Sequence, residues 1–174
     1  MILSITGFMG CGKSSVGRKL SQLLCCPFMD LDEMIEDEAG KSIPEIFAEV
    51  GESGFRKMEH RILSSVLSVK TEEGTTSKIL EIISLGGGTV MTRECAEIVR
   101  ERTLCVYLRA SIQTLAEHLE GETQGRPMLS GNVQERITEL MAQRSETYEK
   151  TAHIIIDTDG MTIEGIASKI VTLI

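Results

Sequence analysis

No run in the 174 residues approaches the roughly 18 apolar positions that a membrane-spanning helix needs, so a helical membrane span is excluded. The five cysteines (Cys11, Cys25, Cys26, Cys95 and Cys105) are odd in number and lack C-x-x-C spacing. Such a set suits neither a disulfide framework nor a zinc site, and reduced thiols in a cytosol are expected instead. The segment Met1 to Thr6 carries no basic n-region and no small-residue cleavage site, so export is not expected and the cytoplasm is the expected location. Positive charge is scarce: 18 Lys and Arg stand against 26 Asp and Glu, for a net charge of −8. Nucleic acid and anionic membrane surfaces, which demand an electropositive footprint, are therefore not expected as main partners. If the ligands are anions, the few basic residues must be gathered at a site. No Pro/Gly/Ser-rich linker, repeat or low-complexity tract divides the chain, and its length suits one domain over residues 1–174.

What is present is a balanced composition, 41% hydrophobic and 25% charged, as in a globular protein with one substantial core. Short apolar or β-branched runs at Met1 to Thr6, Pro27 to Met29, Ile79 to Leu85, Leu104 to Leu108 and His153 to Ile156 read as strands. Helical spacing fills Ser14 to Leu24, Leu31 to Glu38, Phe55 to Leu67, Arg93 to Arg100, Ile112 to Leu119 and Val133 to Lys150. The strands are apolar without alternation, and the order is strand, helix, strand. An α/β fold with a parallel sheet covered on both faces follows. Glu120 to Asn132 holds three glycines, a proline and few apolar residues, the composition of a lid.

Gly7-Phe8-Met9-Gly10-Cys11-Gly12-Lys13-Ser14 satisfies G-x-x-x-x-G-K-[ST], after an expected strand and before an expected helix. Its glycines let backbone N–H groups turn inward on phosphate oxygens, and the helix start adds the positive end of its dipole. Lys13 would reach the β- and γ-phosphates of ATP, and the Ser14 hydroxyl would coordinate Mg2+. A tight strand-to-helix turn holding Lys and Ser by chance is the bland alternative. The loop leaves open whether the phosphoryl acceptor is water, a protein or a small molecule.

Phe28-Met29-Asp30-Leu31-Asp32 puts two carboxylates at the carboxyl end of a short strand, where ligands of open α/β sheets bind. This D-x-D, about 17 residues beyond the P-loop Lys, resembles that of shikimate kinases. There the second aspartate contacts acceptor hydroxyls and the first lies near magnesium, which would make Asp32 an acceptor-orienting residue and Asp30 a metal ligand. Helix capping is the simpler use of either residue. Phe55-Arg56-Lys57-Met58-Glu59 is similar to the family's F-R-x-x-E, in which the Arg holds the substrate carboxylate. Arg56 and Glu59 would share one helical face, as would a plain solvated pair. Gly86-Gly87-Gly88 resembles the family's substrate loop, although three glycines also make a turn. Arg126-Pro127-Met128-Leu129 looks like the family's R-P-[LM]-L, whose Arg reaches the transferring phosphoryl group. Arg144 matches its second carboxylate-binding Arg, in a position where a solvated helix face would equally carry one.

By this resemblance, which runs from Gly7 to Arg144 in order, the sheet has five parallel strands in the order 2-3-1-4-5. The implied reaction is transfer from MgATP to the 3-hydroxyl of shikimate, giving shikimate 3-phosphate for aromatic biosynthesis. Lys13, Asp32 and Arg126 are implied in catalysis. ATP contacts fall on Gly10, Cys11, Gly12, Lys13, Ser14, Ser15 and Arg126. Acceptor contacts fall on Asp32, Arg56, Glu59, Gly86, Gly87, Gly88 and Arg144, and magnesium on Ser14 and Asp30, with Ser84 assisting through water. A monomer is expected. Two features depart from the family pattern: Leu115 to Gln124 has no Lys or Arg and only His118 where many members place an adenine-stacking Arg, and Cys11 stands where Ala or Ser is common, with a thiol open to oxidation. Kinases for other small acceptors, without the carboxylate clamp, and a silent binding module are the rival readings. The module would show a damaged P-loop or missing aspartates, and neither is seen.

Overall fold

The computed structural model describes residues 1–68, 79–120 and 132–174. Its strands are β1 (Ile2–Thr6), β2 (Phe28–Asp30), β3 (Glu81–Ser84), β4 (Thr103–Arg109) and β5 (Ile154–Asp157). They form one sheet in the order β2-β3-β1-β4-β5, and every pairing is parallel. The expected architecture is borne out. β1 is buried at all five positions because it is central and covered on both faces, which is why Ile-Leu-Ser-Ile-Thr does not alternate.

The helices are α1 (Lys13–Leu24), α2 (Leu31–Ala39), α3 (Ile43–Ser68), α4 (Arg93–Arg102), α5 (Ile112–Leu119), α6 (Val133–Thr151) and α7 (Ile163–Leu173). α1 packs with α7, while α4 packs against α3, α6 and β4. Their starts are set by side-chain caps: Asp30 for α2, Ser111 for α5, Asn132 for α6 and Thr162 for α7 each accept from backbone N–H groups of the first turn. Leu20, Leu31, Ile35, Leu63, Ile82 and Leu115 are among the side chains with no exposure in the resulting core.

The expected helix Phe55 to Leu67 is longer than its spacing suggested. α3 begins at Ile43, where Glu45 reaches back over the helix start as in one half of a capping box: the Ser42 N–H and hydroxyl both donate to the Glu45 carboxylate, at 2.8 and 2.7 Å. It then breaks at Gly51, whose φ of 68° and ψ of −178° lie outside helical space. Pro44 and Gly51 disguise the first part as loop, although Pro is tolerated in a first turn. At the other end of the chain, α7 supplies the helix that continues the strand-helix pattern.

Because the strands are parallel, Thr6, Asp30 and Ser84 end at one edge of the sheet, with Ile5 in register with Ser84 and Asp30 also in register with Ser84. The Gly-rich loop, the two aspartates and the three glycines are brought together there, although Gly7 and Gly88 stand far apart in sequence.

Candidate active site

The loop after β1 folds as its glycines require. Gly7, Gly10 and Gly12 all have positive φ (147°, 79° and 91°), and the Cys11 N–H turns back to the Phe8 carbonyl at 3.2 Å. Lys13 opens α1, and its Nζ donates to the Phe8 carbonyl at 3.0 Å, so the ammonium is held across the loop mouth. Gly10, Gly12, Lys13, Ser14 and Ser15 line a cavity of about 690 Å³. Cys11 does not: its side chain is buried beneath the loop, leaving only its backbone to meet a phosphate. Burial also pushes the Cys11 thiol pKa up, with Lys13 opposing. That disfavours the thiolate, so the oxidation-prone thiol suggested by the sequence is not supported.

Ser14, Asp30 and Ser84 converge beside Lys13. The Ser14 hydroxyl donates to Asp30 Oδ2 in a short contact and lies 3.4 Å from Ser84 Oγ. The other Asp30 oxygen caps α2, accepting from the N–H groups of Asp32 and Glu33 at 3.0 and 3.4 Å. Capping and site chemistry therefore coexist at Asp30, one oxygen each. These are hard oxygen donors, the kind magnesium prefers. No cluster of three His, Cys, Asp or Glu occurs among the described residues, so an ion here would share its coordination with phosphate and water.

Asp32 follows one position into α2 and lines the same cavity. Burial raises its pKa to about 6; Asp30 and Glu59 push the same way, and Lys13 and Arg56 oppose. A carboxylate of that pKa is ionised at neutral pH yet basic enough to take a proton.

Arg56 and Glu59 form the expected helical pair, but it is not a solvated one. Glu59 has no exposure at all. One of its oxygens accepts from Arg56 Nη1 at 2.7 Å, and the other accepts from the Thr89 hydroxyl at 2.6 Å. Thr89 thus ties α3 to the turn after β3, a role that sequence reasoning missed because a lone Thr gives no signal. The glycines of that turn lie close against functional side chains. A Cβ on Gly86 would stand 2.7 Å from Asp32 Oδ1, and one on Gly88 would overlap the Arg56 guanidinium. Arg144 enters from α6, only 5% exposed, with Nη1 3.4 Å from the Gly87 carbonyl and its guanidinium carbon 5.9 Å from the Phe8 ring centre. It is therefore not on a solvated face. His118 also lines the cavity, with Nδ1 2.8 Å from the Gly10 carbonyl. Arg126, and with it nearly all of the expected lid at 120–132, lies outside the described residues.

A Gly-rich loop feeding a helix at the carboxyl edge of a parallel sheet, with Lys13 at its mouth and carboxylates opposite, defines a P-loop phosphotransferase. The shikimate kinase family model matches residues 9–174. A curated shikimate kinase of Chlorobium chlorochromatii is 37% identical, covering 97% of this chain and 90% of the relative. One of Dictyoglomus turgidum is 38% identical over 97% and 94%. Among solved structures, the shikimate kinase of Acinetobacter baumannii in complex with shikimate superposes with a TM-score of 0.90 at 31% identity, covering 99% of this chain and 91% of that one. The chain belongs to the shikimate kinase family.

Proposed function

We propose that the chain transfers the γ-phosphoryl group of MgATP to the 3-hydroxyl of shikimate, releasing ADP and shikimate 3-phosphate. The observation that carries the reading is the convergence of Lys13, Asp32, Arg56 and Arg144 on one cavity of about 690 Å³, a volume that accommodates a small acceptor beside a nucleotide's phosphates.

In this reading the backbone of Gly10 to Ser15 and the Lys13 ammonium hold the β- and γ-phosphates, and Ser14 and Asp30 hold the cation. Magnesium, when bound, neutralises charge on the phosphate oxygens. Asp32 accepts a hydrogen bond from the acceptor hydroxyl and takes its proton as that oxygen bonds to the γ-phosphorus and the bridging bond to ADP breaks. Arg56, fixed by Glu59, and Arg144 fork the acceptor carboxylate, while Gly86 to Gly88 let its ring approach the backbone. Arg126 keeps the phosphoryl-stabilising role, and residues 120–132 the lid role, that the family resemblance implies. Cys11, Cys25, Cys95 and Cys105 carry no disulfide, which supports a reducing compartment such as the cytoplasm. That one chain supplies every proposed group supports action as a monomer on two small anions. No helix among the described residues is long and apolar enough to cross a membrane.

The test is ADP release from MgATP by purified protein offered shikimate, quinate, gluconate or nucleoside monophosphates at equal concentration. Release is expected with shikimate alone. Turnover of an acceptor without a carboxylate would remove the roles given to Arg56 and Arg144, and release with none would remove the activity.

A further inference from the structure

One hydroxyl beneath the cavity has no part in the roles assigned so far. Tyr148 stands one helical turn beyond Arg144 on α6, so both side chains leave the same face of the helix. Its ring is buried and stacked on Tyr107 of β4, with centres 5.1 Å apart and planes at 30°. Its hydroxyl donates to the Gly87 carbonyl in a short contact, the same carbonyl that Arg144 Nη1 approaches at 3.4 Å. Ring stacking alone does not demand this bond: Tyr107 is equally buried, yet its hydroxyl has no hydrogen-bond partner among the described residues. Burial raises the Tyr148 phenol pKa far above its ordinary value, so it remains a donor at any working pH.

The other side of Gly87 is fixed by the phosphate loop, since a Cβ there would stand 3.1 Å from the Met9 backbone nitrogen. Gly87 is thus held between the P-loop in front and α6 behind. With its carbonyl anchored on α6, the planar peptide turns the Gly88 N–H away from that helix. Among the described residues Arg144 shares this carbonyl and has no carboxylate in ion-pair range, so its remaining donors face no internal ion pair there.

We infer that Tyr148 is a positioning residue for acceptor binding, acting through Gly87 to set both the Gly-rich turn and the Arg144 guanidinium against the acceptor carboxylate. This rests on the reading of Arg144 as a carboxylate ligand. Tyr148→Phe keeps the ring and removes only the hydroxyl. The expected result is a rise of about five- to tenfold in acceptor KM, with kcat within twofold and ATP KM unchanged. In an Arg144→Ala background, where acceptor KM is already raised, the same change is expected to add a clearly smaller penalty, because the share that acts through the guanidinium is already lost. Tyr148→Phe with wild-type acceptor KM, or with an equal penalty in both backgrounds, overturns the inference while leaving the clamp intact. An Arg144→Ala enzyme with normal acceptor KM instead removes the clamp reading itself. A parallel rise in ATP KM on Tyr148→Phe would show general loosening of the core and would also overturn it.

Discussion

At the phosphate end of the cavity the chain works with its backbone, in one unbroken stretch from Gly7 to Ser15. At the proposed acceptor end it works mainly with side chains delivered by α2, α3 and α6, set around the glycines after β3. The first end is continuous in sequence and almost free of carboxylates. At the second, Asp32 and the fully buried Glu59 lie among the arginines, and each Arg has a different partner: Glu59 for Arg56, the Gly87 carbonyl and the Phe8 ring for Arg144. A backbone cradle recognises what all nucleotides share. Fixed side-chain forks recognise one molecule, at the cost of burying charge that must be paired. The difference explains how nucleotide and acceptor recognition can vary independently on one fold.

The largest effect expected from either end is at Lys13. Lys13→Met should lower kcat by about a thousandfold, since it removes the charge facing the developing phosphoryl negative charge. Steady-state ADP release at saturating acceptor reads this directly, and a loss below tenfold would mean that the backbone alone carries the phosphate end.

Asp32 comes next, and it separates function from stability. Asp32→Asn should lower kcat/KM for the acceptor by roughly a hundredfold. In the wild type, kcat/KM should climb as pH rises through about 6, where Asp32 ionises, and the variant should lack this limb. Because the folded pKa is raised above the ordinary 3.8, the stability contributed by Asp32 is present below that value and lost as pH rises through about 6. Asp32→Asn should therefore be more stable than wild type at pH 8 by roughly 1–3 kcal/mol, with the gap closing below pH 4, as thermal melts at the two pH values would show. A variant less stable at pH 8 would sink the claim that this carboxylate is strained for its task.

The smallest of the three is Glu59→Gln, which keeps shape and loses charge. Acceptor KM should rise about tenfold while ATP KM holds, with a stability loss of roughly 1–3 kcal/mol. If ATP KM rose as much, the two ends would not be separable as described.

The sequence made the two ends legible to different degrees for the same reason. The phosphate loop is local, so its spacing names its residues, and the strands stand out as short runs of apolar and β-branched residues, continuous in the buried centre of the sheet. The acceptor end is made of long-range contacts. Arg56 and Glu59 could be paired by their spacing of three, but Thr89, thirty positions away, could not. Tyr148 sits four residues beyond Arg144, yet nothing local says that its hydroxyl reaches Gly87. The first part of α3 was hidden by Pro44 and Gly51, although Ser42 and Glu45 spell a capping box. Asp30 offered capping or chemistry as alternatives, and only the geometry of its two oxygens shows that it serves α2 and Ser14 at once.

Glu59 also carries a consequence for descent. With one oxygen given to Arg56 and the other to Thr89, and no exposure to solvent, the three positions form a coupled unit. A lineage that exchanges Arg56 alone leaves the buried Glu59 carboxylate with one oxygen unpaired, which costs stability. On the carboxylate-binding role proposed for Arg56, changes of acceptor on this scaffold should therefore tend to appear as joint replacements at 56, 59 and 89.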